Sequence, residues 1–151
     1  MIYIIIGRGF IASSLFRYLT DLDLGRIINY NSLLDIEILS EFTHATFIDC
    51  STSTVHTLKP NEYRTYFTHE LEKQIKLYKL IAQFPSATYY RLNSVGSYVD
   101  NSNLNHYSVI KNLASVVDSL LAINSNINLF NIVLPNIYGP GCPLEPSRLR
   151  F

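Results

Sequence analysis

The chain of 151 residues contains no tryptophan, one methionine, two cysteines, six glycines and six prolines, and only 16% of its residues are charged. Each scarcity excludes something. Cys50 and Cys142 lie far apart with neither metal-ligand spacing nor a pairing pattern, so no zinc site and no disulfide framework is expected, and a reducing compartment, the cytoplasm, is. Twelve basic residues balance twelve acidic ones. With no excess of either sign, neither nucleic acid nor an anionic membrane surface is expected as a partner. The longest apolar run, Ile2 to Ile6 interrupted by Tyr3, falls far short of the roughly 20 residues of a membrane span and lacks the basic flank of a signal peptide.

What is present is a 48% hydrophobic composition, on a chain long enough to bury roughly two thirds of its unfolded surface as one domain. The β-branched run Ile2 to Ile6 stands directly before Gly7-Arg8-Gly9, and Ile11, Leu15 and Leu19 then recur every fourth position, which reads as strand, tight turn and helix. A second strand, Arg26 to Tyr30, precedes Asn31-Ser32, a cap for a helix carrying Leu33, Leu34, Ile36, Ile38, Leu39 and Phe42. Ala45 to Asp49 makes a third strand, followed by the polar loop Cys50 to Thr54. Pro60 and Asn61 start a long helix with the expected inward stripe Tyr63, Phe67, Leu71, Ile75, Tyr78 and Ala82. Thr88 to Leu92 is a fourth strand, a helix with the stripe Ile110, Leu113, Val117, Leu120 and Leu121 follows, and Asn128 to Leu134 is a fifth strand. Pro135, Gly139, Pro140, Gly141, Pro143 and Pro146 end regular structure. Strands alternating with helices predict an α/β fold: a Rossmann-like, doubly wound parallel sheet of about five strands.

Gly7-Arg8-Gly9-Phe10-Ile11-Ala12 lies between the first strand and the first helix, the context in which such a glycine pattern carries meaning. The first glycine permits the turn, the second lets the backbone approach a pyrophosphate, and the helix N-terminus offers unpaired N–H groups. A βα turn that merely needs glycines is the plainer alternative. The acid expected about 20 residues further on, to hold a ribose, is absent: Asn29, Tyr30 and Asn31 occupy that place. Asparagine hydrogen-bonds a hydroxyl without repelling a phosphate and Arg8 can pair with one, so NAD and NADP both stay open, with a lean toward NADP.

Tyr107 and Lys111 are four apart on the expected helix, about 40° from each other around its axis, and so share a face. A lysine ammonium near a phenol lowers its pKa from about 10 toward neutrality, which suits a tyrosine that exchanges a proton with a carbinol or ketone. Such pairs also commonly just cover surface. Ser94 stands at the carboxyl end of the fourth strand, where open parallel sheets bind ligands, although a serine there is more often a turn or cap residue. None of the four histidines makes a ligand spacing, and no metal is expected.

Four segments together resemble the extended short-chain dehydrogenases/reductases, the NAD-dependent epimerase/dehydratase family. Gly9-Phe10-Ile11-Ala12-Ser13 is similar to the family's Gly-Phe-Ile-Gly-Ser turn, and Ser94-Val95-Gly96-Ser97-Tyr98 to its serine segment. Tyr107 and Lys111 match its Tyr-x-x-x-Lys, and Leu134 to Gly141 is close to its strand-end signature. The resemblance implies that residues 1–141 are a dinucleotide-binding domain and 142–151 the start of a substrate-binding region. It implies NAD or NADP as cofactor and a small nucleotide-sugar substrate, and leaves a homo-oligomer open. By the same resemblance Ser94 orients the substrate oxygen, Tyr107 is the acid/base, and Lys111 holds the nicotinamide ribose and tunes Tyr107. Gly7, Arg8, Gly9, Phe10, Ile11 and Asn31 would hold the dinucleotide, with the Cys50-Ser51 loop against the pyrophosphate and Pro135 and Ile137 near the nicotinamide.

The sequence also departs from that pattern. Ile6 replaces the earliest glycine of the turn, and His106 sits where a small residue or proline is common. Only one strand, Ala45 to Asp49, separates the second strand from the long helix leading to Ser94. If Ala45 to Ser51 matches the later of the family's two strands there, the edge strand is missing and the order becomes 2-1-3-4-5; in the alternative, Asp49 is the adenine-contacting aspartate. The function expected is hydride transfer at a hydroxyl or ketone carbon of a nucleotide sugar. The rival is a non-catalytic or truncated dinucleotide-binding module.

Overall fold

The computed structural model describes residues 2–24, 26–30, 43–51, 59–94, 106–123, 125 and 127–135; of residues 26, 28–30, 94, 106 and 107 it describes the backbone alone. Five strands and three α-helices are seen among them: β1 Ile2–Ile6, α1 Phe10–Asp21, β2 Arg26–Tyr30, β3 His44–Asp49, α2 Tyr63–Ile81, β4 Ser86–Ser94, α3 His106–Ile123 and β5 Ile127–Leu134. The helix expected over Leu33 to Phe42 lies outside the described residues. A 3-10 turn, Pro60–Glu62, leads into α2. Its start is closed by the Lys59 amide donating to Glu62 Oε2 at 2.8 Å.

All strands pair in parallel, in the order β2-β1-β3-β4-β5. β1 is an interior strand, and its isoleucines suit burial on both faces at once: Ile2, Ile4, Ile5 and Ile6 are all buried. β2 lies on one side of β1 and β3 on the other, so the chain reverses its direction of growth there. The crevice outside the carboxyl ends of β1 and β3 is therefore the topological switch point of the sheet, the place where open α/β sheets take ligands. Register brings Ile6 beside Asp49, Asp49 beside Arg91, and Ser94 beside Leu134.

α2 packs on one face of the sheet. Ile2, Ile4, Phe47 and Tyr89 meet Leu77, Tyr78, Ile81 and Phe84 in a single apolar cluster. Two edge-to-face contacts fix its geometry, Phe47 with Phe84 at 5.3 Å and Tyr78 with Tyr89 at 5.5 Å between ring centroids.

Two of the expected stripes are corrected. On α2 the buried positions are Gln74, Leu77, Tyr78, Leu80 and Ile81, while Leu71 and Ile75 face outward at 43% and 37% exposure and Ala82 is exposed beyond the helix end. A stripe stepped every four residues drifts about 40° per step around a helix of 3.6 residues per turn, and by Ile75 it has left the packed face. On α3 the buried residues are Ser108, Ile110, Lys111, Ala114 and Asp118, whereas Leu113 and Leu120 are exposed. That inward face is partly polar because it meets polar groups of β4. β4 also runs two residues further at each end than Thr88 to Leu92, since β3 and β5 supply hydrogen-bonding partners along its length.

Candidate functional site

The turn after β1 comes first. Gly7 has φ +130°, a conformation closed to residues with a side chain, and a Cβ there would lie 3.1 Å from both the carbonyl carbon and oxygen of Cys50. The Cys50 amide donates to the Ile6 carbonyl at 2.8 Å, drawing the loop after β3 against this turn. Gly9 caps α1 in extended backbone, φ −74° and ψ 178°, with no side-chain hydrogen bond to the cap and no acidic residue in the first turn. A Cβ built on Gly9 meets no described atom within 4 Å. The two glycines therefore differ: Gly7 allows the backbone to pack on Cys50, while Gly9 leaves open the approach to a helix N-terminus that attracts anions. Arg8 beside it is exposed, and Phe10 and Ile11 are half-buried.

The loop after β3 is held from within. Ser51 donates to Asp49 Oδ1 twice, through its amide at 2.8 Å and its hydroxyl at 2.6 Å, and its carbonyl accepts a bond from Lys73 Nζ at 2.8 Å. Asp49 is fully buried, and its other oxygen, Oδ2, accepts from Tyr89 Oη at 2.9 Å and pairs with Arg91 Nη1 at 3.1 Å. Burial alone would raise its pKa, but Arg91, the two Ser51 bonds and Lys73 outweigh that and hold the carboxyl below its ordinary value. An aspartate so enclosed is an internal anchor and does not face an adenine. Burial, reinforced by Asp49, pushes the half-buried Cys50 thiol up to about 12, so Cys50 is present as the neutral thiol at physiological pH.

Against β4 stands Lys111. It is 7% exposed, and Nζ donates to the Leu92 carbonyl at 3.1 Å. Burial, aided by the charge of Arg91, brings its pKa down to about 8, with Asp49 opposing the shift. The backbone places Tyr107 in the first turn of α3, one turn before Lys111, and Ser94 at the last position of β4. Pro135 follows β5 at the same end of the sheet. The structure thus gathers Gly7, Gly9, Cys50, Ser51, Ser94, Tyr107, Lys111 and Pro135 at the carboxyl ends of β1, β3, β4 and β5. Asn31 and Ile137 lie outside the described residues.

Two residues of this region escaped the sequence reading. Arg91 Nε and Nη2 grip Asp118 Oδ2 and Oδ1 at 2.6 and 3.1 Å, and both side chains are buried. Burial disfavours the guanidinium charge, but Tyr89, Asp49 and Asp118 together more than restore it. The available signal was an arginine in the middle of a strand expected to be buried, together with an aspartate seven residues after Lys111, on the same helix face.

No protein-family model matches the chain, and no curated protein matches it. Solved structures do. UDP-glucuronic acid 4-epimerase from Bacillus cereus, in complex with NAD, superposes with TM-score 0.69 at 15% identity over 93% of this chain and 58% of that one. UDP-N-acetylglucosamine 4-epimerase from Bacillus cereus gives 0.67 at 14% over 92% and 62%. MoeE5, in complex with UDP-glucose and NAD, gives 0.63 at 16% over 93% and 56%. The chain spans less than two thirds of the length of each of these three. Identity this low speaks for architecture, which agrees with the strand order and the βα turn: the chain has the Rossmann-like fold, shared with part of these three proteins, two of which are described in complex with NAD.

Proposed function

We propose that the chain is the dinucleotide-binding part of an NAD- or NADP-dependent protein of the extended short-chain dehydrogenase type, acting on a nucleotide sugar by hydride transfer at a hydroxyl or ketone carbon. The observation that carries this reading is Lys111: a buried lysine at the carboxyl end of the sheet, its pKa lowered to about 8, one helical turn after Tyr107. The fold shared with UDP-sugar epimerases and with MoeE5 supports the substrate class. The open Gly9 cap, the uncapped α1 N-terminus and exposed Arg8 fit the pyrophosphate of a dinucleotide.

In this reading Gly7 to Ile11 and the Cys50-Ser51 loop hold the pyrophosphate, Asn31 the adenosine ribose, and Pro135 and Ile137 the nicotinamide end. When bound, the nicotinamide supplies hydride exchange with the substrate carbon. Ser94 hydrogen-bonds the reacting oxygen, Tyr107 takes up or gives its proton, and the Lys111 ammonium lowers the phenol pKa while binding the nicotinamide ribose. Residues 1–141 form the dinucleotide-binding domain and 142–151 begin a substrate-binding region. The cysteine spacing supports a cytoplasmic protein. Exposed Val109, Leu113, Val116 and Leu120 on α3 support a homo-oligomer.

Thermal unfolding with NADH and NADPH tests the reading. A ligand at 100 times its Kd adds about 2.7 kcal/mol, roughly 5 to 10 °C in Tm for a chain of this size. No shift with either nucleotide at millimolar concentration refutes it. Tyr107→Phe keeps the nucleotide shift and abolishes turnover of a UDP-sugar; unchanged turnover removes Tyr107 from the chemistry. Nucleotide binding by the unmodified chain with no turnover would favour the non-catalytic or truncated dinucleotide-binding module.

A further inference from the structure

Three consecutive residues of β4 hold three residues on one face of α3. Arg91 pairs with Asp118, the Leu92 carbonyl accepts from Lys111, and Asn93 Nδ2 donates to Ser115 Oγ at 2.7 Å. Ser115 in turn donates to the Lys111 carbonyl at 3.1 Å. Lys111, Ser115 and Asp118 stand at i, i+4 and i+7, so they form one row along the helix. Such contacts are directional. An apolar stripe lets a helix slide and rotate by small amounts at little cost, whereas a two-pronged guanidinium–carboxylate pair fixes both height and rotation.

Arg91 has a second arm. Its Nη1 reaches Asp49, whose other oxygen takes both donors of Ser51. One buried side chain therefore joins the loop that packs on Gly7 to the helix that carries Tyr107 and Lys111. Stability alone does not account for it, since replacing a buried ion cluster by apolar residues is often neutral or stabilising. Its distinct contribution is register.

We propose that Arg91 is a positioning residue: by bridging Asp49 and Asp118 it sets the place of Lys111, and with it the first turn of α3, relative to the Cys50-Ser51 loop. This rests on the proposed function in assigning those two parts to opposite sides of one dinucleotide site. The bridge itself does not depend on that reading. The ionisable groups acting on Lys111 are Arg91 from β4, Asp49 from β3, Cys50 from the following loop and Lys73 from α2.

The test follows the Lys111 side-chain nitrogen and the Ser51 amide by NMR in the full chain without nucleotide. Arg91→Gln is expected to raise the Lys111 titration midpoint from about 8 toward the ordinary 10.5, because the charge of Arg91 adds to burial in lowering it, and to shift the Ser51 amide. Asp118→Asn keeps Arg91 paired with Asp49 and carries the test if Arg91→Gln does not fold. It is expected to shift both the Lys111 and the Ser51 resonances, although it lies two turns from Lys111 and on a different element from Ser51. A folded variant of either kind, less stable yet with Lys111 and Ser51 unchanged, would show a merely structural ion cluster and overturn the proposal. A wild-type chain that binds neither NADH nor NADPH would instead overturn the proposed function, with the bridge still decided by these two resonances.

Discussion

Gly7 and Gly9 stand two residues apart in one turn, and replacing each by alanine separates the stability of the fold from its use. At Gly7 a side chain meets two penalties. The φ of +130° lies where only glycine is at ease, a cost of about 1–3 kcal/mol. The new Cβ would also press on the Cys50 carbonyl at 3.1 Å, a backbone group already tied to Ile6 through the neighbouring amide. Together we expect Gly7→Ala to cost roughly 2–4 kcal/mol, part of it as displacement of the Cys50 loop. For a chain of this length that lowers Tm by roughly 4 to 16 °C. At Gly9 the backbone is ordinary and the space beyond it is open to described atoms. A poorer helix cap costs about 0.5–1 kcal/mol, and the stiffer unfolded chain returns about as much, so Gly9→Ala should leave Tm almost unchanged. Its methyl group would instead stand between α1 and a pyrophosphate, so NADH or NADPH should cease to raise Tm. Calorimetry of both variants with and without nucleotide reads all four numbers. Gly7→Ala melting within 2 °C of wild type, about the smallest shift that 1 kcal/mol produces, would refute the strain argument. Equal losses of stability at both positions would refute the division of labour.

Two further outcomes follow from the buried polar groups. Tyr89→Phe removes a hydroxyl that donates to the buried Asp49 carboxylate at 2.9 Å and should cost about 1.5–3 kcal/mol in urea unfolding with an unchanged m value; a neutral result would mean that Arg91 and Ser51 satisfy Asp49 alone. Lys111 has a folded pKa lowered to about 8 from 10.5, so between those values the unfolded chain binds the additional proton and this group makes stability rise with pH. Cys50, raised from 9.0 to about 12, acts in the opposite sense above pH 9. Because Lys111 and Cys50 act on each other, both chains of the comparison carry Cys50→Ser: the stability of Cys50→Ser minus that of Cys50→Ser with Lys111→Met should increase from pH 8 to 10.5, and a flat difference would contradict the burial of a titrating lysine.

Much of the fold was legible because its signals are local. The isoleucine run before Gly7 and the recurrence of strand and helix were sufficient for a parallel sheet, and the single strand between Tyr30 and α2 offered 2-1-3-4-5 as one of two readings of its order, the one the sheet adopts. The inward faces of α2 and α3 were not. α2 carries apolar residues around much of its circumference, so Leu71 and Ile75 looked as eligible for the core as Leu77 and Ile81. On α3 the eligible leucines, Leu113 and Leu120, face outward, while Lys111 and Asp118 face inward because their partners on β4 are polar.

The sequence by itself determined the order of the elements and the positions of Gly7, Ser94, Tyr107 and Lys111, since backbone freedom and hydrophobic period depend on neighbours along the chain. Only the tertiary structure decided that Asp49 is an internal anchor, that Gly7 is needed for the approach of Cys50, and that Arg91 joins β3 to α3. Those facts depend on pairs 27 to 43 residues apart, and a charge can be buried there only because folding brings its partner within hydrogen-bonding distance.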